Sequence, residues 1–294
     1  MRFTLVDVFT MTPYSGNPAC VLMHEGRIDP AIKSKVAAEM NQPESVFVRP
    51  SKGVFYLSFF TRGREVEFCG HGTIASIWVI AKDMKKKRVR VSTPKGRLEG
   101  WVDDHCCAFV EHPVPGFQTI KGGKDTVARV LGINHRDIDA TLPLETADIG
   151  IRQLLVPVRS LDALKAVDPD EKKLRLLTAY AGLDSIHVFA QEGFDPDARL
   201  HARHFAPYYN VPEDAVTGTG NASAVVYLVR HGRIDPKKER RILCEQGHMM
   251  GRPGMVVVNI KGDARKRIVT KLSFGGACTE SVTGEVALSS RGKK

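Results

Sequence analysis

The sequence contains no continuous apolar run of about 18 residues, so it predicts no helix long enough to cross a membrane. Residues 1–9 alternate like a strand and include an acid, and they lack the apolar run and cleavage site of a secretory signal peptide. The hydrophobic fraction of 43% is that of an ordinary globular protein. We therefore expect a cytoplasmic protein whose 294 residues form one large domain or two smaller ones.

Cysteine is scarce, and the six cysteines form neither a Cys-x-x-Cys pair nor any other metal-ligand spacing. The sequence therefore predicts free thiols, no disulfide framework and no metal centre. Most of the cysteines are typical of small core residues. Cys69 differs because it lies in a glycine turn before a predicted helix, where a thiol is readily activated.

Acidic residues are fewer than basic ones, and the formal net charge is +10. Much of the positive charge lies in basic runs at residues 85–88, 237–241 and 291–294. No aromatic residues are interleaved with these runs and no nucleic-acid-binding motif is present. We interpret the runs as solvated helix ends and a tail, and expect neither nucleic acid nor a membrane as partner. The positive field would favour a small anionic substrate.

The sequence does contain a glycine-rich turn between a predicted strand and a predicted helix, at residues 67–76. Residues 54–60 before the turn are rich in aromatic and branched side chains, as strands are. After the turn, apolar residues recur at the spacing of one helix face, namely Ile74, Ile77, Trp78 and Ala81. Gly70 and Gly72 permit a tight turn and a close approach to a ligand. The helix start offers N–H groups and a positive dipole end to a carboxylate.

A similar turn occurs in the second half of the chain. Residues 217–220 read Thr-Gly-Thr-Gly where residues 69–72 read Cys-Gly-His-Gly, and the separation of 148 residues (217 − 69) is half of the chain. An apolar helical segment at residues 225–229 follows the second turn. This pattern favours a duplicated fold with one site at the junction of its halves. Coincidence is the alternative, because glycine turns before helices are common.

Predicted strands outnumber predicted helices, which favours an α+β fold built from curved, mostly antiparallel sheets. We predict two similar halves at residues 1–115 and 124–294, with the last strand able to pair back onto the first half. The Pro- and Gly-rich segment at residues 113–123 is the predicted linker. Asp29-Pro30 predicts the start of a helix, and the residues predicted to lie on its buried face are Ile32, Val36 and Met40.

An ordered set of motifs in this chain resembles the PhzF (phenazine biosynthesis-like) family of isomerases. The motifs are Asp-Val-Phe-Thr at 7–10 with Gly-Asn-Pro at 16–18, Asn-Gln-Pro-Glu-Ser-Val-Phe-Val at 41–48, Gly-His at 70–71, Phe-Ala-Pro at 205–207 with Glu-Asp-Ala-Val-Thr-Gly-Thr at 213–219, and Gln-Gly at 246–247 with Gly-Arg-Pro at 251–253. The resemblance spans nearly the whole chain. It implies the diaminopimelate epimerase-like fold, in which each half is a sheet curled around a central helix and the site lies in the cleft between the halves. It also implies a homodimer and no cofactor.

The resemblance carries roles to particular residues. Glu44 matches the proton-transferring glutamate of the family, and His71 and Asp214 match residues that orient the substrate. The residues Gly70, Gly218 and Thr219 match substrate-binding turns, with threonine at 219 where serine is commoner. Their positions at the two predicted helix starts add four further substrate-binding candidates, which are Gly72, Thr73, Thr217 and Gly220.

This chain departs from the family in having glycine, not proline, after the Gly-His pair. Residues 69–72 therefore look like the thiol motif of the proline racemases, in which two cysteines face each other. Thr217 occupies the position of the second cysteine and cannot serve as a thiol base. A cysteine–threonine pair resembles the hydroxyproline dehydratases, so Cys69 stays open as an alternative base.

We therefore expect a cofactor-independent isomerase that moves a proton and a double bond on a small amino- or hydroxy-carboxylate, with Glu44 as acid/base. One alternative is a one-thiol dehydratase or epimerase of a proline-like amino acid that uses Cys69. A catalytically silent small-molecule binding protein is another. Without the resemblance, Glu44 could equally be an exposed acid at a strand start, His71 a hydrogen-bonded turn residue and Asp214 an N-cap.

Overall fold

The computed structural model describes residues 1–62, 64–209 and 211–288, so the basic run at 291–294 lies outside the described residues. The chain divides into two compact units. Unit 1 comprises Met1–Tyr14, Pro18–Val110 and the chain from Ala277 onward, and unit 2 comprises Ser15–Asn17 and Glu111–Gly276. No helix within the described ranges combines the length and the apolar character needed to cross a membrane.

Unit 1 is a mostly antiparallel sheet with one long central helix. Its elements are β1 (Arg2–Val8), β2 (Asn17–Met23), α1 (Pro30–Met40), β3 (Glu44–Ser51), β4 (Val54–Phe60), β5 (Glu65–Val66), α2 (Gly70–Met84), β6 (Arg88–Thr93), β7 (Gly96–Val102) and β8 (Cys107–His112). The pairs β3–β4, β6–β7 and β7–β8 are antiparallel, whereas β2–β3 and β4–β6 are parallel.

Helix α2 is the core of unit 1. Its first eight residues are buried, and apolar residues cover its whole circumference, which is typical of a helix enclosed by protein. Cys69 is the N-cap, and Lys85 ends the helix in the left-handed region with φ of 51°. The predicted buried positions Ile74, Ile77 and Ala81 are confirmed. The helix packs against β1, β3, β6 and β7, so the sheet is curled around it.

Unit 2 repeats this plan. Its elements are β9 (Gly116–Thr119), α3 (Lys124–Leu131), β10 (Glu145–Asp148), β11 (Arg152–Val158), α4 (Leu161–Lys165), α5 (Glu171–Ala181), β12 (Ser185–Ala190), β13 (Ala198–Ala206), β14 (Val211–Asp214), α6 (Gly218–Arg230), β15 (Arg241–Gln246), β16 (Gly254–Asp263) and β17 (Ile268–Glu285). Residues 218–229 of α6 are all buried, as in α2. The predicted α+β fold with two similar halves, each a curled sheet around a central helix, is confirmed.

Strand β17 contributes to the sheets of both units. Its residues up to Gly275 pair antiparallel with β16 in unit 2. Its residues from Cys278 to Glu285 pair antiparallel with β1 in unit 1, so that the N-terminal strand is paired with the end of the chain. Part of the predicted linker at residues 113–123 forms β9, which pairs antiparallel with β10.

One predicted helix face is wrong in part. Asp29 caps α1 as predicted, because its carboxylate accepts the Ala31 N–H at 2.8 Å. However, Ile32 is 42% exposed, and the residue of α1 that is buried is Ala37, which packs with Phe47 and Phe60. Val36 and Met40 are only partly buried. Lys33, four residues before Ala37, extends over the same two rings, so the face of α1 toward the sheet runs through Lys33 and Ala37 and not through Ile32.

The clearance between α2 and β7 generates a prediction about stability. A Cβ atom on Gly100 of β7 would lie 2.3 Å from Ile77 Cδ1 and 2.8 Å from the Phe109 carbonyl oxygen. Replacing Gly100 with alanine should therefore lower the free energy of unfolding by about 1–3 kcal/mol through overpacking. Urea unfolding of the two proteins measures this difference.

Gly116→Ala is the matched control for this prediction. Gly116 also lies in a strand, and among the described residues no heavy atom outside its chain neighbours comes within 4 Å of the added Cβ. Its free energy of unfolding should stay within about 0.5 kcal/mol of the wild-type value. Equal losses in the two variants would show that close packing on α2 is not the cause.

Candidate active site

The start of α2 places a thiol and an imidazole together. The Cys69 Sγ accepts the Gly72 N–H at 3.3 Å, so the thiol caps the helix. The His71 Nδ1 lies 3.3 Å from the same sulfur. The Thr73 hydroxyl donates to the Cys69 carbonyl at 2.7 Å and is therefore directed along the helix. Cys69 and His71 are nearly buried, with 8% and 9% of their surfaces exposed.

Glu44 lies beside this helix start. It is the first residue of β3, and it pairs in parallel register with Ala19 of β2. A Cβ atom on Gly72 would lie 3.2 Å from Glu44 Cγ and 3.3 Å from Cys69 Sγ. Because Gly72 has no side chain, the side chains of Glu44 and Cys69 can both lie against the start of α2. Because only 4% of Glu44 is exposed, the alternative of an exposed strand-start acid is wrong.

The start of α6 in unit 2 carries the aspartate. Thr217 is the N-cap of α6, at the position that Cys69 has in α2, but its hydroxyl does not cap the helix. It donates instead to Asp214 Oδ2 at 2.6 Å. The other carboxylate oxygen of Asp214 accepts the Asn17 amide N–H at 2.8 Å. The N-cap interpretation of Asp214 is therefore wrong, and the residue is a half-buried carboxylate held by two side-chain donors.

Gln246 holds the α6 start together from the end of β15. Its Oε1 accepts the backbone N–H of Thr217 at 2.9 Å and the amide of Asn221 at 2.8 Å. Its Nε2 donates to the Asp214 carbonyl at 2.8 Å. This amide replaces the missing side-chain cap of the helix. Residues 246–247 belong to the motif set above, but sequence reasoning assigned Gln246 no role.

Residues 15–17 are anchored so that Asn17 reaches Asp214. The Arg252 guanidinium donates to the carbonyls of Gly16 at 2.9 Å and Ser15 at 3.0 Å. The Gly16 N–H and the Ser15 hydroxyl both donate to the Pro253 carbonyl, at 3.0 and 2.7 Å. Sequence reasoning noted both motifs and missed their contact, because they lie more than 200 residues apart.

Two buried histidines lie beneath the α6 start. His187 on β12 and His204 on β13 bring their Nδ1 atoms within 3.1 Å. A Cβ atom on Gly220 would lie 2.5 Å from His187 Nδ1, so Gly220 is needed for clearance here. Burial lowers the pKa of His187, and the neighbouring His204 lowers it further. Burial also lowers the pKa of His204 to about 4, against the opposing effect of Asp214.

The structure therefore places the predicted site residues in two groups. Glu44, Cys69, Gly70, His71, Gly72 and Thr73 lie at the start of α2 in unit 1, and Asp214, Thr217, Gly218, Thr219 and Gly220 lie at the start of α6 in unit 2. Each group combines a carboxylate with a helix N-terminus, which stabilises bound negative charge. The residues that sequence reasoning missed are Asn17, Asn221, Gln246 and the two buried histidines.

Comparison with known proteins adds an independent finding. The family model described as phenazine biosynthesis-like protein matches residues 6–284. An uncharacterised isomerase of Deinococcus radiodurans is 30% identical, over 94% of this chain and 91% of its own. The trans-2,3-dihydro-3-hydroxyanthranilate isomerase of Pseudomonas fluorescens is also 30% identical, over 94% of this chain and 96% of its own.

Among solved structures, a PhzF-family phenazine biosynthesis protein of Bacillus anthracis superposes with a TM-score of 0.86. It is 25% identical, and the match covers 98% of this chain and 99% of that one. The similarity thus extends over both units in sequence and in fold.

The buried His187–His204 pair predicts a loss of stability in mild acid. The unfolded chain protonates these imidazoles near the ordinary pKa of 6.5, whereas folded His204 binds its proton only near pH 4. Between these values protons bind preferentially to the unfolded state, so the stability present above pH 6.5 is lost as the pH falls. Each histidine should lower the free energy of unfolding by about 1.4 kcal/mol per pH unit over this window.

Urea unfolding at pH 7, 6 and 5 measures this slope. His204→Asn removes one titrating group, so its slope should be shallower than the wild-type slope by about 1.4 kcal/mol per pH unit. His135→Asn is the control, because His135 is exposed and should leave the slope unchanged. Identical slopes in wild type and His204→Asn would refute the role of the buried pair.

Proposed function

The chain belongs to the phenazine biosynthesis-like (PhzF) family of isomerases, and on this premise we propose that it is a cofactor-independent isomerase that transfers a proton on a small amino- or hydroxy-carboxylate. Glu44 removes a proton from carbon, the electron pair shifts along the adjacent double bond, and the same carboxyl group returns the proton to another carbon. The double bond moves and the composition of the substrate is unchanged.

The observation that carries this proposal is the position of Glu44. A group that takes and returns the same proton must be shielded from bulk water, because otherwise the proton exchanges with solvent. Glu44 is 4% exposed and packs against Gly72 at the start of α2, whose first eight residues are buried. The helix dipole there favours the negative charge that develops on the substrate when its proton leaves.

The remaining residues are proposed to bind and orient the substrate. The α6 start, at residues 218–221, would hold a carboxylate through its N–H groups and dipole. Asp214 accepts hydrogen bonds from Asn17 and Thr217. A carboxylate has about four lone-pair positions, so Asp214 can accept a further hydrogen bond from a substrate amino or hydroxyl group. His71 would contact a second polar group of the substrate.

The substrate class rests on the named relative. The substrate named for the Pseudomonas fluorescens isomerase is a cyclic carboxylate that carries an amino and a hydroxyl group. We propose the same chemical class for this chain, because a carboxylate, an amino group and a hydroxyl group match a helix start, an aspartate and a histidine respectively.

Cys69 supports a second candidate function. Its sulfur lies 3.3 Å from His71 Nδ1 at a helix start, an environment that favours thiolate chemistry. The equivalent residue of unit 2, Thr217, donates its hydroxyl to Asp214 and supplies no second thiol. The thiol reaction would therefore use one base, as in a dehydratase or epimerase of a proline-like amino acid.

Proton NMR in heavy water distinguishes these mechanisms. Wild-type protein and the variants Glu44→Gln and Cys69→Ser are incubated with cyclic and acyclic amino- and hydroxy-carboxylates, including trans-2,3-dihydro-3-hydroxyanthranilate. Glu44→Gln should lower the rate of isomerisation by about 100- to 10,000-fold or more, because the acid/base group is lost. Cys69→Ser should keep the rate within about tenfold of wild type.

The matched control is Glu39→Gln, which makes the same chemical change on the exposed face of α1 and should leave the rate unchanged. Near-normal turnover by folded Glu44→Gln would refute the proposed mechanism. Loss of activity in Cys69→Ser alone would assign the reaction to the thiol. Substrate binding without isomerisation or hydrogen exchange by wild type would identify a binding protein.

A further inference from the structure

A cluster of two histidines and a glutamate lies within unit 2, apart from the α6 start. It consists of His201 on β13, Glu245 on β15 and His248 in the 3-10 turn at His248–Met250. One candidate ligand atom from each residue lies within 4.8 Å of the other two. The parallel register of β13 and β15 pairs His201 with Glu245 directly. His201 and Glu245 are 0% and 3% exposed, and His248 is half-buried.

The contacts within the cluster identify its candidate ligand atoms. Glu245 Oε2 lies 3.0 Å from His201 Nδ1, so these two atoms face each other. Within the described part of the chain, the buried Nδ1 atom of His248 has no hydrogen-bond partner. A bound ion would satisfy this atom.

The surroundings hold the ligands in place. Glu245 also accepts the backbone N–H groups of Phe194 at 2.6 Å and Asp195 at 2.9 Å. The Phe194 ring lies 4.6 Å from the His248 ring and 5.2 Å from the His201 ring, measured between centroids. Phe194, which is 48% exposed, thus packs against both imidazoles. Two imidazoles and one carboxylate are the ligands that zinc and its neighbours prefer, whereas calcium and magnesium prefer oxygen ligands.

We propose that His201, Glu245 and His248 form a structural binding site for one divalent transition-metal ion of the zinc class. Donor atoms bound to zinc at about 2.1 Å lie about 3.3 Å apart in a tetrahedral site, so the ligands must close by up to about 1.5 Å. The His248 turn can supply this movement, since it lies between Gly247 and Gly251, which both have positive φ. The ion keeps a fourth position for water.

The site has a structural consequence for the α6 start. Glu245 and Gln246 are neighbours on β15, so their side chains point to opposite faces of the sheet. Gln246 holds Thr217, Asn221 and Asp214 on one face. An ion on the other face would join β13, β15 and the His248 turn, and so restrain the strand from which Gln246 extends. This support of β15 does not depend on the proposed isomerisation.

Zinc titration of chelator-treated protein tests the proposal. All variants carry Cys106→Ser, because Cys106 is an exposed thiol that could itself bind zinc. Calorimetry should show one ion per chain, and zinc at about 100-fold above its Kd should raise Tm by about 5 °C. His248→Ala should lose the ion and the Tm increase. His135→Ala, which removes an exposed histidine of the same unit, should keep both.

Two further measurements sharpen the result. Cobalt in place of zinc should give visible d–d bands without a thiolate charge-transfer band, as expected of nitrogen and oxygen ligands. Magnesium and calcium should give no Tm increase at the same concentration. Absence of stoichiometric binding at a 100-fold excess of zinc over about 1 μM protein would refute the site. Equal zinc binding by His248→Ala and His135→Ala would also refute it, because the ion would then lie elsewhere.

Discussion

Each unit depends on a helix whose N-terminus is buried. The first N–H groups of a helix have no partner inside the helix, and water cannot reach them here, so the protein must supply acceptors. In unit 1 the Cys69 thiol accepts the Gly72 N–H. In unit 2 the Gln246 amide accepts the Thr217 N–H. A thiol and an amide thus meet the same need for an acceptor. Each of them lies with other polar side chains at a helix end that attracts anions.

The two solutions have different chemical consequences. Because the thiol of unit 1 caps its own helix, it stays beside Glu44 and His71. Because an amide performs this role in unit 2, the Thr217 hydroxyl is available to bind Asp214. The difference between the two groups of candidate site residues therefore follows from which residue satisfies each helix start. Glycine contributes equally to both, since Gly72 and Gly220 allow Glu44 and His187 to approach the helices closely.

Sequence reasoning located features whose signal is local. The glycine turns, the apolar face of α2, the Asp29 cap and the strand start at Glu44 are all visible within about ten residues. The support of Asp214 was not predicted, because its partners Asn17 and Gln246 are distant in the chain and a single amide leaves no periodic pattern. The exposed Ile32 was missed for a related reason, since apolar spacing shows which residues share a face and not which of two faces meets the sheet.

The pairing of β1 with β17 also determines when the protein can become complete during its synthesis. Arg2 pairs with Glu285, and the Met1 amino group donates to the Val286 carbonyl. Unit 1 therefore lacks one neighbour of its first strand until residues 278–285 have been synthesised. An edge strand that waits so long for its partner is open to pairing with other nascent chains. Such distant contacts also slow folding.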